Sequence, residues 1–402
     1  MPGTHPVATQ PAASHATPDG RDATRLRDLS ATQWKSGIAA WLGWLFDGLD
    51  MHLYTIVALP FVAQLMLLPE NSGEVASKAS IIQASFLVGW ALGGGFFGRI
   101  GDRLGRARAL MLTILTYALF TGLSFFAQTW WHLLICRFLA ALGIGGEWAV
   151  GAALLSETWP RKWRPWIAAT LQSAVNIGVL LAMAAAWILS LIHWSDPYYT
   201  HRIVFLVGLL PALLVLWIRR AVPEPEEWHA AKQQAGRVEP RIRDLFRGQV
   251  RRTTVLTVGV CALSLSAHWA FMFWYLQHLN NLLKDAAWQP ADITRFKAVA
   301  MVVLMLSSVA GNFVAGAVAK ATGYRRAISL MCVAYFVSMF YTYSVARGHQ
   351  EIFWLLIPVG VCQGLFGLFT MYLPPLFPTL LRTTGAGFCY NIGHDAADVP
   401  GD

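Results

Sequence analysis

Apolar residues along this chain gather into long blocks separated by short polar stretches. A bilayer core of roughly 30 Å needs about 20 apolar residues per helix, and ten blocks meet that length. They lie at about 38–65, 79–98, 109–127, 131–156, 165–192, 203–218, 253–279, 298–319, 327–345 and 352–373. One polar stretch, 219–252, is much longer than the rest and divides the blocks into two sets. Within it Pro223-Glu-Pro-Glu-Glu-Trp228 predicts a short helix lying against the membrane surface. Residues 1–36 are rich in Pro, Ala, Thr, Ser and Asp and carry no apolar signal core, so they read as a disordered tail.

A local pattern occurs twice at an offset of 218 residues. Gly98-Arg-Ile-Gly-Asp102-Arg-Leu-Gly105-Arg-Ala-Arg108 returns as Gly316-Ala-Val-Ala-Lys320-Ala-Thr-Gly323-Tyr-Arg325-Arg326. The same offset carries Glu157-Thr-Trp-Pro160 to Arg164 onto Pro375-Leu-Phe-Pro378 to Arg382. Two landmarks at one offset imply that a whole helical unit was duplicated. Duplicated halves are how many secondary transporters are built, with the substrate held between them. The expected organisation is a tail (1–36), a six-helix bundle (37–218), a cytosolic linker (219–252), an incomplete second bundle (253–392) and an acidic tail (393–402).

Composition agrees with a polytopic membrane protein: 13% of residues are charged and mean hydropathy is +0.47, against about 25% charged in soluble domains. The net charge of +9 is a topology signal. With a cytosolic N-terminus, the inner loops hold 20 Lys and Arg and the outer loops six, as the positive-inside rule requires. That distribution argues against nucleic-acid binding. Trp41, Trp44, Trp130, Trp131, Trp159, Trp163, Trp166 and Trp194 lie near block ends, where an interfacial belt would put them. The five cysteines form no CxxC pair or Cys/His ligand set. No nucleophile–base constellation or phosphate loop is present, so neither an enzyme nor a cofactor is expected.

Gly98 to Arg106 resembles the loop between helices 2 and 3 of major facilitator superfamily transporters. Arg137 followed by Gly143-Ile-Gly-Gly-Glu-Trp148 resembles the fourth-helix motif of that family, and Glu157, Pro160 and Arg164 its helix 4–5 junction. The resemblance covers about residues 37–392. It implies an all-α membrane protein of the major facilitator fold, two inverted-repeat helical bundles rocking about a central site, with about ten of twelve transmembrane helices present. It also implies a multi-pass protein of the cytoplasmic (inner) membrane that works on a small-molecule substrate. The chain is expected to act as a monomer in the bilayer. Gly98, Asp102, Arg103, Gly105, Arg106, Glu157 and Arg164 are the expected gate. Asp102 can pair with arginines of loop 4–5 or cap a helix N-terminus, contacts that one conformation makes and another breaks. The second copy of the loop is degenerate, with Lys320 in place of the acid and Tyr324 in place of an arginine.

Helix 1 reads Phe46-Asp47-Gly48-Leu-Asp50-Met-His52-Leu-Tyr54, which sets Asp47, Asp50 and Tyr54 on one face. Carboxylates at membrane depth cost some 2.5–3.5 kcal/mol each on insertion scales, so they usually face a cavity and serve ions or substrate. Burial favours proton binding by at least one of them. Gly143, Glu147 and Gly151 form one stripe of helix 4, which makes Glu147 a candidate partner in proton transfer. The Phe-Asp-Gly-x-Asp pattern also resembles the organic-acid proton symporters of the superfamily, of sialate and aromatic-acid type. Asp47, Asp50 and Glu147 are therefore the expected proton-coupling residues. Arg137 is expected to pair with an acid of helix 1 or with an anionic substrate. Tyr54, Gln172, Asn176, His268, Trp274, Gln277 and Gln363 complete the expected substrate contacts. A neutral-solute porter of the same fold and a nontransporting remnant or sensor remain as alternatives.

The chain departs from the family pattern after Gly385. The apolar run breaks within about eight residues, at Gly393-His394-Asp395. The expectation is that helix 11 does not form, that helix 12 is absent through a shifted frame or truncated gene, and that Asp102 lacks its partner across the halves.

Overall fold

A computed structural model describes residues 25–192, 197–199, 201–235 and 240–395, and its regular elements are helical. Ten long segments correspond to the ten apolar blocks. The first half contains α1 (Ala31–Met66), α2 (Gly73–Leu104), α3 (Arg106–Ser124), α4 (Trp130–Thr158), α5 (Arg164–Ser190) and the broken pair α6 (Val204–Val207) and α7 (Pro211–Ala221). After the linker helix α8 (Glu226–Ala235) come α9 (Gly248–Asp285), α10 (Pro290–Thr322), α11 (Tyr324–Tyr343), the broken pair α12 (His349–Cys362) and α13 (Leu365–Tyr372), and α14 (Arg382–Asp395). Among the described residues nine helical segments are long and apolar enough to cross a bilayer. The tyrosine-bearing α11 is not one of these nine.

Local chemistry sets the boundaries. Ser30 and Gln33 form a reciprocal capping box at the start of α1, so the helix begins six residues inside the expected tail. Thr129 caps α4, and Pro165 opens α5, where its missing N–H is harmless. Gly105 joins α2 to α3 at φ +108°, a conformation that a side chain disfavours. Its repeat mate Gly323 joins α10 to α11 at φ +84°.

The duplication reappears as paired contacts between the halves. A Cβ on Gly98 would lie 2.8 Å from Thr383 O in α14. One on Gly316 would lie 2.9 Å from Pro165 O in α5. Each pair is the other displaced by 218 residues, so α2 meets α14 as α10 meets α5. Bare backbone at both places lets the helices approach closely.

Three expectations need correction. The start of helix 11 is helical: α14 runs over Arg382–Asp395, 14 residues, with residues 383–391 packed between α2 and α9. The linker helix docks on the bundle, its Trp228 buried with Nε1 donating to Asp102 O at 2.9 Å. Trp44 and Trp159 are buried between helices instead of sitting in an interfacial belt. Residues 1–24, Trp194 and residues 396–402 lie outside the described part.

Candidate functional site

Between the halves lies a cavity of about 120 Å³. The first half lines it with Asp47 and His52 of α1, Trp90 of α2, Trp148 of α4 and Gln172 and Asn176 of α5. The second half contributes His268, Trp269, Ser308, Gln363 and Tyr390. Polar side chains are few and are held by neighbours. His268 Nδ1 lies 3.2 Å from Tyr335 Oη, and Asn176 Nδ2 donates to Met305 O at 3.4 Å. Gln363 stands at the break between α12 and α13.

Aromatic rings close this cavity across the halves. Trp148 stacks on Tyr390 at 3.8 Å and Trp90 meets Trp269 edge-on at 6.1 Å. Asn391 then donates to Trp90 O at 3.2 Å and Gly145 O at 2.7 Å. The indole Nε1 atoms of Trp44 and Trp148 are buried with no acceptor. Two unpartnered donors in the wall suit an acceptor-rich ligand.

The two acids of α1 have different surroundings. Asp50 forms a fully buried ion pair with Arg137 Nη2 at 3.1 Å. Arg137 also donates to Thr121 Oγ1 at 3.3 Å and lies over the rings of Phe86 and Tyr54. Asp47 instead meets the carboxyl of Glu147. No protein donor reaches Asp47 Oδ1 or either oxygen of Glu147. Gly43 makes room for the contact, because a side chain there would strike Glu147 Oε1. Two carboxyls buried side by side without a cation cannot both stay charged at ordinary cost.

The expected substrate contacts therefore divide. Gln172, Asn176, His268 and Gln363 line the cavity together with Asp47. Asp50, Arg137 and Tyr54 lie behind its wall, and Tyr54 Oη donates to Ala79 O. Trp274 and Gln277 face a separate groove between α9 and α11, and Trp274 is 62% exposed. Their position in the repeat could not show this, because a one-residue turn of α9 moves a side chain from the cavity to the outer face.

A second set of contacts lies at the end of the bundle that carries the basic loops. Asp102 accepts hydrogen bonds from Thr383 N at 3.2 Å, Thr384 N at 2.9 Å and Thr384 Oγ1 at 2.5 Å. It thus caps α14, the partner it was expected to lack. Arg106 is fully buried, donating to Glu157 at 2.8 Å, Gly101 O at 2.8 Å and Thr379 O at 2.7 Å. Arg382 reaches both Glu157 at 3.0 Å and Glu227 at 2.7 Å. Arg164 does not join this network. It donates to Ser156 O and Trp159 O, closing the C-terminal end of α4. Arg103 contributes its carbonyl, which accepts from Lys232. Glu224 caps α3 through Ala107 N and Arg108 N, both at 3.0 Å.

Sequence reasoning missed Arg382, Glu224, Glu227 and Tyr390. Arg382 had a signal, being the repeat mate of Arg164. The acids of the linker had none, since their partners lie more than a hundred residues away.

The profile of the Major Facilitator Superfamily matches residues 40–393. The chain is 27% identical over 375 residues to the sialic acid transporter NanX of Escherichia coli, covering 91% of this chain and 85% of that protein. It is 32% identical over 369 residues to a probable 4-methylmuconolactone transporter of Cupriavidus pinatubonensis, covering 90% and 81%. Among solved structures it resembles the proton:xylose symporter XylE bound to 6-bromo-6-deoxy-D-glucose. There the TM-score is 0.72 at 16% identity, covering 91% of this chain and 86% of that one.

Proposed function

This chain belongs to the Major Facilitator Superfamily and is a multi-pass membrane transporter, not an enzyme; from that premise we propose that it carries a small organic acid together with a proton across the cytoplasmic membrane. The observation that carries the reading is the approach of Asp47, in the cavity wall, to the buried Glu147 behind it, with no donor on Asp47 Oδ1 or on either oxygen of Glu147. Such a pair takes up one proton when the cavity is open to the outer side. It releases the proton when water and cations reach it from the inner side. Cargo entering the cavity meets Asp47 and the rings of Trp44 and Trp148, so proton and anion are sensed in one place. Arg137 acts through Asp50: the pair neutralises one acid of α1 and leaves Asp47 as the one that exchanges its proton.

The contacts of Asp102, Arg106, Glu157 and Arg382 act as the cytosolic gate, with the N-terminus on the same side. Opening that side separates the Asp102 carboxylate from the first turn of α14, and the lost bonds are partly replaced by water. The relatives named for sialic acid and 4-methylmuconolactone support a carboxylate or related oxygenated cargo.

A neutral cargo such as a sugar is the second reading, because Arg137 stands behind the wall and not in it. Competition in reconstituted vesicles separates the two. A panel of small carboxylates competes for uptake and hexoses do not if the acid reading holds. Competition by hexoses alone would replace it.

A further inference from the structure

Behind the cavity the first half encloses a compartment of buried polar atoms that the proposed transport cycle does not yet use fully. Tyr117 of α3 is completely buried and its hydroxyl has no hydrogen-bond partner. An unsatisfied buried hydroxyl costs about 1–3 kcal/mol, and the other hydroxyls of α3 are all hydrogen-bonded, so this one asks for a reason. Gly143 of α4 admits the residue: a Cβ there would lie 2.8 Å from Tyr117 N and 3.1 Å from Tyr117 Cβ. Glu147 follows one turn along the same stripe of α4, and its two oxygens also lack donors. One turn along α3, Thr121 accepts from Arg137, the partner of Asp50. Tyr117 thus lies on the α3–α4 seam at Gly143, one turn of α4 from Glu147 and one turn of α3 from Thr121.

We infer that Tyr117 is a positioning residue whose hydroxyl donates to the Glu147 carboxylate once the proton shared with Asp47 has left. While the carboxyls share that proton the hydroxyl is idle; in the structure it has no partner. When the proton departs, the pair carries one more negative charge with no protein donor on its facing oxygens. Thr113 already donates to Leu110 O and Thr121 accepts from Arg137, whereas the phenol O–H has no partner. The charged and titratable groups facing this compartment are Asp47, Asp50 and His52 from α1 and Arg137 and Glu147 from α4. His52 is held to Gly48 O at the cavity, and Arg137 is taken by Asp50 and Thr121. Between Lys78 and Arg99, α2 has no charged residue; α5 has none after Arg164, and α7 has only Arg219 and Arg220 at its far end. Among the hydroxyls of α3, Tyr117 is the one without a partner; the unpartnered indoles of Trp44 and Trp148 belong to the cavity wall. This inference rests on the proton reading of the Asp47–Glu147 pair.

Infrared difference spectroscopy of the full chain in liposomes tests it without knowledge of the cargo. Subtracting Glu147→Gln spectra isolates the carboxyl band of the pair as pH is varied. A hydrogen bond to the ionised form favours that form, so Tyr117→Phe moves the midpoint of the band to higher pH by about one unit, tenfold in proton concentration. A merely packed ring would leave the midpoint in place. If the Phe variant does not fold, Tyr117→Met, which also removes the donor, is read in the same way. A band that titrates with the same midpoint in the variant overturns the role of Tyr117 and leaves the proton reading standing. A wild-type protein with no titrating carboxyl band that Glu147→Gln removes overturns both.

Discussion

Asp47 and Asp50 leave α1 one turn apart and meet different partners, because α4 offers Arg137 to one and Glu147 to the other. Removing the charge from Asp50 strands a buried guanidinium, which typically costs about 3–5 kcal/mol. Asp50→Asn should therefore lower thermal stability strongly, while the double change Asp50→Leu, Arg137→Met should recover most of it in a denaturation series. A double variant as unstable as the single one would show that the pair is not the source of the loss. Asp47→Asn and Glu147→Gln should behave otherwise. Each keeps the volume and removes an acid that holds no cation, so folding should survive. Concentrative uptake should fall to the level of passive exchange, with substrate counterflow retained. Loss of counterflow as well would assign these residues to cargo binding and not to coupling.

At the scale of elements, closure depends on where backbone meets backbone. Gly98 lets α2 touch the first turn of α14, and Asp102 caps that turn one helical turn further along. Gly98→Val should force the two helices apart, and Asp102→Asn should weaken the cap without steric change. Both should speed labelling of a cysteine introduced at Thr383 by a reagent applied from the basic-loop side. Unaltered labelling in both would mean that this contact is not a gate. Glu224 makes a smaller contribution as the cap of α3. Glu224→Ala should cost about 0.5–2 kcal/mol, the usual range for a lost N-cap, read as a lower melting temperature.

For the whole molecule, the ten helical segments were legible because apolar runs of bilayer length leave little choice of structure. The repeat was legible from glycines that both copies need, at Gly98 and Gly316 and at the turns Gly105 and Gly323. What the sequence hid depends on contacts between distant segments. The residues after Gly385 read as a helix 11 that does not form, yet Arg382–Asp395 is helical because residues 383–391 pack on α2 and α9. Trp228 read as a membrane anchor, and the carbonyl of Asp102 that receives it could not be found by periodicity. Asp47 and Glu147 were each legible as candidates, but their contact was not, nor was the presence of Tyr117 beside them. A tyrosine in an apolar run reads as core, and only its partnerless hydroxyl sets it apart.

The central claim, that one cavity couples a proton to an organic acid, is tested by following internal pH in proteoliposomes containing the purified chain. Small carboxylates are added outside, one at a time, with hexoses as controls. Internal acidification is expected on addition of a transported carboxylate, absent with hexoses and absent in Glu147→Gln. Accumulation of a carboxylate with no movement of protons, or acidification that persists in Glu147→Gln, would contradict it.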